Sequence, residues 1–264
     1  MLRFAVPVGA VLPLILLMTG TGTAGPSQVE GGLYPDLRAA NPHHFTVQNT
    51  QQREFLRFAN MVANTGQGDL ILRPEHDTVA NITTGFQEIE NAAGDVVDDR
   101  AVSEFVFHPA HNHWHLTAVA LFEIRVARDT GLGGRWGDVS GGQTVKTTFC
   151  LIDVIKLDGQ SNTPARRFWD CFPDERQGIS AGWGDQYHHS TPGQELEVTG
   201  LAPGIYYLVT TSNPDGAFIE TTTANNTAWT SFRLSRDSSG NPKITEVGSA
   251  PCSGALCGTQ LPNR

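Results

Sequence analysis

Positive charge is scarce in this sequence. Its 264 residues carry 18 lysines and arginines against 27 aspartates and glutamates, a net charge of −9, and the cations nowhere gather into a patch or run. That balance argues against nucleic acid as a partner, because backbone phosphates are held by clustered cations. An acidic surface keeps an exported chain dissolved and draws cations and long amines modestly. Helical periodicity is rare, internal repeats are missing, and no domain boundary stands out inside 33–236. Cysteine is limited to four residues, Cys150, Cys171, Cys252 and Cys257, and no pair has zinc-finger spacing. No serine or cysteine nucleophile setting and no carboxylate-bridged metal pair is evident, so a zinc hydrolase lacks support. After Met18 no run is apolar enough to cross a membrane.

What is present begins with a leader. Met1–Ala24 has Arg3, an apolar run from Phe4 to Met18 and a small-residue end, "TGTA". This reads as a secretory signal peptide cleaved after Ala24; Pro7, Pro13 and the shortness of the run argue against the alternative, an uncleaved anchor. Export to an extracellular setting makes an even cysteine count a sign of disulfides, with Cys150–Cys171 and Cys252–Cys257 the nearest pairing. Short alternating runs follow: "HFTVQN", "REFLRFANMVANTG", "TAVALFEIRVA", "TVKTTFCLIDVI", "QELEVTGL", "GIYYLVTTS" and "TAWTSFRL". Turn signals separate them at Asn64–Gly68, Gly131–Gly134, Ser161–Pro164 and Asn213–Gly216. The pattern predicts an all-β fold, an antiparallel β-sandwich core with long loops and little helix. One domain is expected over 25–236. Residues 128–142 read as a loop, and 237–264 as an irregular C-terminal arm with a small disulfide loop.

The densest chemistry lies in "FHPAHNHWH", residues 107–115, which holds four of the nine histidines. On a strand, positions i, i+2 and i+4 share a face, so His111, His113 and His115 would line one side and Asn112 and Trp114 the other. A helix would scatter them. Three imidazoles on one face suit a borderline divalent metal, with copper favoured over zinc by intrinsic affinity. Three protein ligands leave a position open for water, oxygen or substrate.

The same stretch resembles the copper-binding segment of lysyl oxidases, and further segments match that family in order. "LYPDLRAANPHHF" is similar to its opening, "LRFANMVANTGQGDL" to its first strand and turn, and "VKTTFCL" to the segment with the cofactor lysine. "RRFWDC" resembles the Arg-rich turn that follows, "GISAGWGDQY" the segment with the cofactor tyrosine, and "APGIYYLVTTSNPDGAFIETTTANNTA" the closing hairpin. The resemblance covers about 33–234. It implies copper on His111, His113 and His115, and a lysine tyrosylquinone formed from Lys146 and Tyr187. The implied reaction oxidises primary amines, on peptidyl lysine, polyamines or small molecules, with oxygen as co-substrate. Asp185, in the tyrosine segment, is the first candidate for the catalytic base, with His108, His188 and His189 as alternatives. His43 and His44 read as surface residues in an Asn-Pro turn.

Departures from animal members point to a bacterial-type member. Ala110 and Trp183 stand where that pattern has cysteines, and only Cys150 and Cys171 remain in the matched core. Packing around Trp114, Trp169 and Trp183 is expected to compensate. Residues 74–104 read as a lengthened loop. A different class stays open: a secreted immunoglobulin-like binding or adhesion module with a non-catalytic three-histidine metal site, to which the closing hairpin with Glu220, Asn225 and Asn226 is also similar.

Overall fold

Alternating apolar and polar residues are met by strand along the chain. The computed structural model describes residues 28–109, 113–128, 136–157, 165–172 and 175–258. The expected signal peptide at 1–24, the turn at Ser161–Pro164, and His111 with its neighbours Ala110 and Asn112 lie outside the described residues. In chain order the strands are β1 (Leu37–Ala39), β2 (His43–Thr50), β3 (Arg53–Asn64), β4 (Leu70–Asp77), β5 (Ile82–Glu90), β6 (Val96–His108), β7 (His113–Ala127) and β8 (Trp136–Phe149). There follow β9 (Ile155–Lys156), β10 (Gln177–Ile179), β11 (Trp183–Tyr187), β12 (Glu195–Glu197), β13 (Gly204–Ser212), β14 (Thr227–Arg236) and β15 (Pro242–Ser249). A single 3-10 turn, Gly254–Cys257, is the helical content of the described residues, and no helix among them is long and apolar enough to cross a membrane.

Two antiparallel sheets result. In the smaller, β3 pairs with β1, β2, β11 and β12, and β9 extends β11. The larger runs β10-β4-β5-β6-β7-β13-β14-β15, with β8 on β7. The sheets share one core. Phe58 of β3 meets Phe122 of β7 edge to face at 4.9 Å, and Phe45 of β2 meets Phe232 of β14 at 5.8 Å. Burying each such ring contributes about 2–3 kcal/mol, and the edge-to-face contact adds about 0.5–1.5 kcal/mol. Glu220 closes the far end. Its buried carboxylate accepts the Leu37 N–H at 2.8 Å, Asn213 Nδ2 at 2.6 Å and Asn226 Nδ2 at 2.7 Å, tying β1 to the turn after β13.

Several expectations need correction. Residues 74–104 are not a loop: they are the strands β4, β5 and β6, paired in succession and joined by short connections at 78–81 and 91–95. The Gly-rich segment at 128–142 returns to strand at Trp136. The chain after 237 is partly ordered by β15 against β14, because alternate residues there match the exposed ladder of that strand. Both disulfides, Cys150–Cys171 and Cys252–Cys257, are formed as paired from the sequence.

Candidate functional site

The histidine segment is a hairpin. β6 and β7 pair with His108 opposite His113 and Val106 opposite His115, so these four share one face of the ribbon. Phe107 and Trp114 take the other, their rings 5.6 Å apart. His113 Nε2 and His115 Nε2 lie 2.9 Å apart. Two nitrogens about 2.0–2.1 Å from one ion, at a right angle, would be separated by about 2.9 Å, so the pair fits a shared metal. His115 is buried, and its Nδ1 lies 3.1 Å from Thr148 Oγ1; with Nδ1–H donating to that hydroxyl, Nε2 keeps its lone pair on the side of His113. His108 stacks on His115 at 4.8 Å, so this fourth imidazole belongs to the same cluster. His111 precedes β7, outside the described residues.

The tyrosine segment belongs to the other sheet. β11 lies in the smaller sheet with Asp185 opposite Val62 and Tyr187 opposite Asn60 on β3. Two residues apart on a strand, Asp185 and Tyr187 face the same way. Burial pushes the Asp185 carboxyl well above the usual carboxylate range; the Ile152 N–H works against the shift and the Asp153 charge adds to it. Burial also raises the Tyr187 phenol well above 10, with the Asp185 charge assisting. The phenol donates to the Cys150 carbonyl at 2.7 Å, and its ring rests on Phe149 at 4.4 Å.

The end of β8 links the two. Thr148 touches His115, while Phe149 and Cys150 hold Tyr187. Lys146 is on the same strand, opposite Leu121 of β7 and two residues before Thr148. The Cys150–Cys171 bridge anchors this strand end to the segment 165–172.

Asp153, which sequence reasoning missed, organises the surroundings. Fully buried, it accepts N–H groups from Arg167 at 2.9 Å, Phe168 at 3.1 Å and Ser180 at 2.7 Å, and the Ser180 hydroxyl at 2.7 Å. Its signal was the Gly-aliphatic-Ser start of the tyrosine segment. Ser180 reaches Asp153, and Gly178 packs so closely on β4 that a Cβ there would lie 2.1 Å from the Leu70 carbonyl oxygen. Gln177 adds a clamp, donating to the Trp114 carbonyl at 2.8 Å and accepting the Leu151 N–H at 3.1 Å.

Two expectations about side chains fail. Trp114 and Trp183 pack on the main core, but Trp169 is 59% exposed, with the Arg166 guanidinium over its ring at 4.1 Å. Its neighbour Cys171 takes the inward position, and Trp169, two residues earlier in an irregular segment, is left outside. His43 and His44 are not free surface residues in a turn; both are half-buried in β2. His188 and His189 gather with His44.

The family model described as Lysyl oxidase matches residues 81–240. Among curated proteins, Lysyl oxidase homolog 2 of Xenopus tropicalis is 26% identical over 182 residues, 69% of this chain and 18% of that protein. Lysyl oxidase homolog 2 of Homo sapiens is 27% identical over 183 residues, again 69% of this chain and 18% of that protein. The match to the Gallus gallus protein of the same name is 26% over 175 residues, covering 66% of this chain and 17% of the relative. The chain thus aligns with less than a fifth of the length of these relatives.

Proposed function

The chain belongs to the lysyl oxidase family, and from that premise we propose that it is a copper-dependent oxidase of primary amines acting outside the cell. The observation that carries the reading is the end of β8. Within Lys146–Cys150 one residue touches a hairpin histidine and two hold Tyr187, while the lysine is on the same strand. A binding module has no reason to keep those residue types in that register.

His113 and His115, joined by His111, would hold the metal, with the Thr148 hydroxyl accepting the His115 Nδ1–H when Nε2 is the ligand. Copper and a lysine tyrosylquinone built from Lys146 and Tyr187 would supply the electron sink, so that amine, oxygen and water become aldehyde, ammonia and hydrogen peroxide. Asp185, facing the same way as Tyr187, would take the proton from the amine-bearing carbon. Burial raises its pKa, which makes its carboxylate a stronger base than an exposed one. The disulfides and the leader expected at 1–24 support an extracellular setting. Peptidyl lysine, polyamines and small amines all fit the proposed chemistry.

Peptide mapping of copper-loaded, aerobically produced protein tests this. A covalent link between the Lys146 and Tyr187 peptides is expected, with labelling by phenylhydrazine. Tyr187→Phe is expected to abolish peroxide release from amines while copper stays bound. Both peptides recovered unmodified, or activity kept in the variant, would overturn the proposal.

A further inference from the structure

Away from the hairpin, three more imidazoles meet. His44, His188 and His189 each offer one ring nitrogen, and these atoms all lie within 4.8 Å of one another. The rings of His44 and His189 are 4.1 Å apart, those of His188 and His189 4.0 Å, and those of His44 and His188 5.7 Å.

The arrangement is held from several sides. His44 has φ of 55°, a left-handed conformation uncommon for residues other than glycine, at a register shift between β2 and β3. His188 and His189 follow Tyr187 where β11 ends, and Arg57 of β3 grips their turn. Its Nε donates to the His189 carbonyl at 2.8 Å and its Nη2 to the Thr191 carbonyl at 2.9 Å, while Glu195 pairs with its charge. His188 Nδ1 lies 2.7 Å from Ser190 Oγ; the tautomer whose Nδ1–H donates to that hydroxyl leaves Nε2 as a ligand and gives up the 3.2 Å bond from the Ser190 N–H that the other tautomer accepts. His189 Nδ1 is buried with no hydrogen-bond partner among the described residues, a state that buried polar atoms rarely keep. Burial first, then His44, His188 and Arg57, lower the pKa of His189, which favours the neutral form a ligand needs.

We propose that His44, His188 and His189 form a second metal site, distinct from the hairpin histidines, for a borderline divalent ion such as Zn2+. Imidazole suits such ions, and three protein nitrogens with a water complete a tetrahedral shell. The ion would join β2 to the residues that follow Tyr187, segments far apart in sequence. This site is independent of the amine-oxidase reading.

Zinc titration of chelator-treated full chain, with bound metal counted by atomic emission, tests the site. The His113→Ala, His115→Ala double variant, which lacks the hairpin pair, is expected to keep one equivalent of Zn2+. Adding His44→Gly removes the imidazole while suiting the left-handed backbone, and should weaken that binding by at least about a hundredfold. His189→Ala should act alike, and both should bleach the visible bands of the Co2+-substituted protein. A folded double variant without zinc, or a triple variant binding as tightly as the double, would overturn the site. If the double variant does not fold, His44→Gly alone must cost the chain one bound ion, and an unchanged count would overturn the site. Failure of the hairpin copper site reads differently, as a double variant that binds as many ions as the unaltered chain.

Discussion

Asp185 is a carboxyl shut away from water, and its proton links stability to the proposed chemistry. Because burial raises its folded-state pKa above the unfolded value, the folded chain holds a proton that the unfolded chain releases. The stabilisation is complete below the ordinary carboxylate value near pH 4 and is lost as pH rises through the folded pKa. Asp185→Asn keeps the shape and cannot ionise, so urea midpoints measured across pH should decline less steeply above about pH 4 than in the unaltered chain. The same variant should lower amine turnover by about 10²–10⁴-fold, read as peroxide release. The sequence named Asp185 by its place in a family-like segment, but its raised pKa comes from its burial in the sheet interior, with the Asp153 charge adding to it against the Ile152 N–H. Asp153 itself stood out only indirectly, through the Ser180 it binds, since an aspartate inside "CLIDVI" looks like any strand-end carboxylate until the chain folds four donors around it.

At the scale of elements, β8 and the bridge at its end matter most. The Cys150–Cys171 disulfide spans a sequence separation of 21, and it fixes the carbonyl that receives the Tyr187 phenol. Replacing both cysteines by serine should cost about 3 kcal/mol in urea unfolding, chiefly from the freed chain entropy of the unfolded state. Near-ultraviolet circular dichroism should change together with the loss, because Tyr187 and Phe149 share that anchor. Strand identity was legible here, as β3, β7, β13 and β14 all follow from alternation. The 74–104 hairpins and β15 were not, because their charged and Gly-rich composition reads as loop, and only a partner ladder turns it into sheet.

For the molecule as a whole, the contact between sheets is decisive. Phe58 is fully buried and joins β3 to β7 through Phe122, so the sheet carrying Tyr187 is set against the strand carrying His115. Phe58→Ala should destabilise the fold by about 3–5 kcal/mol, measured by chemical denaturation, through lost burial and the cavity left behind. Phe58 and Phe122 lie in the runs "REFLRFANMVANTG" and "TAVALFEIRVA", whose alternation marks strands but does not pair the two rings.

The all-β class, the strands β3, β7, β13 and β14, the one-face spacing of His113 and His115, and the lysyl oxidase family were determined by the sequence itself. Those properties depend on covalent geometry, which repeats every two residues along a strand, and on ordered local motifs. Tertiary structure alone decided that His44 meets His188 and His189, that Asp153 gathers four donors, that Asp185 is dry and that Trp169 is not. Proximity and burial of residues far apart in the chain depend on how the sheets pack, and no local pattern encodes that.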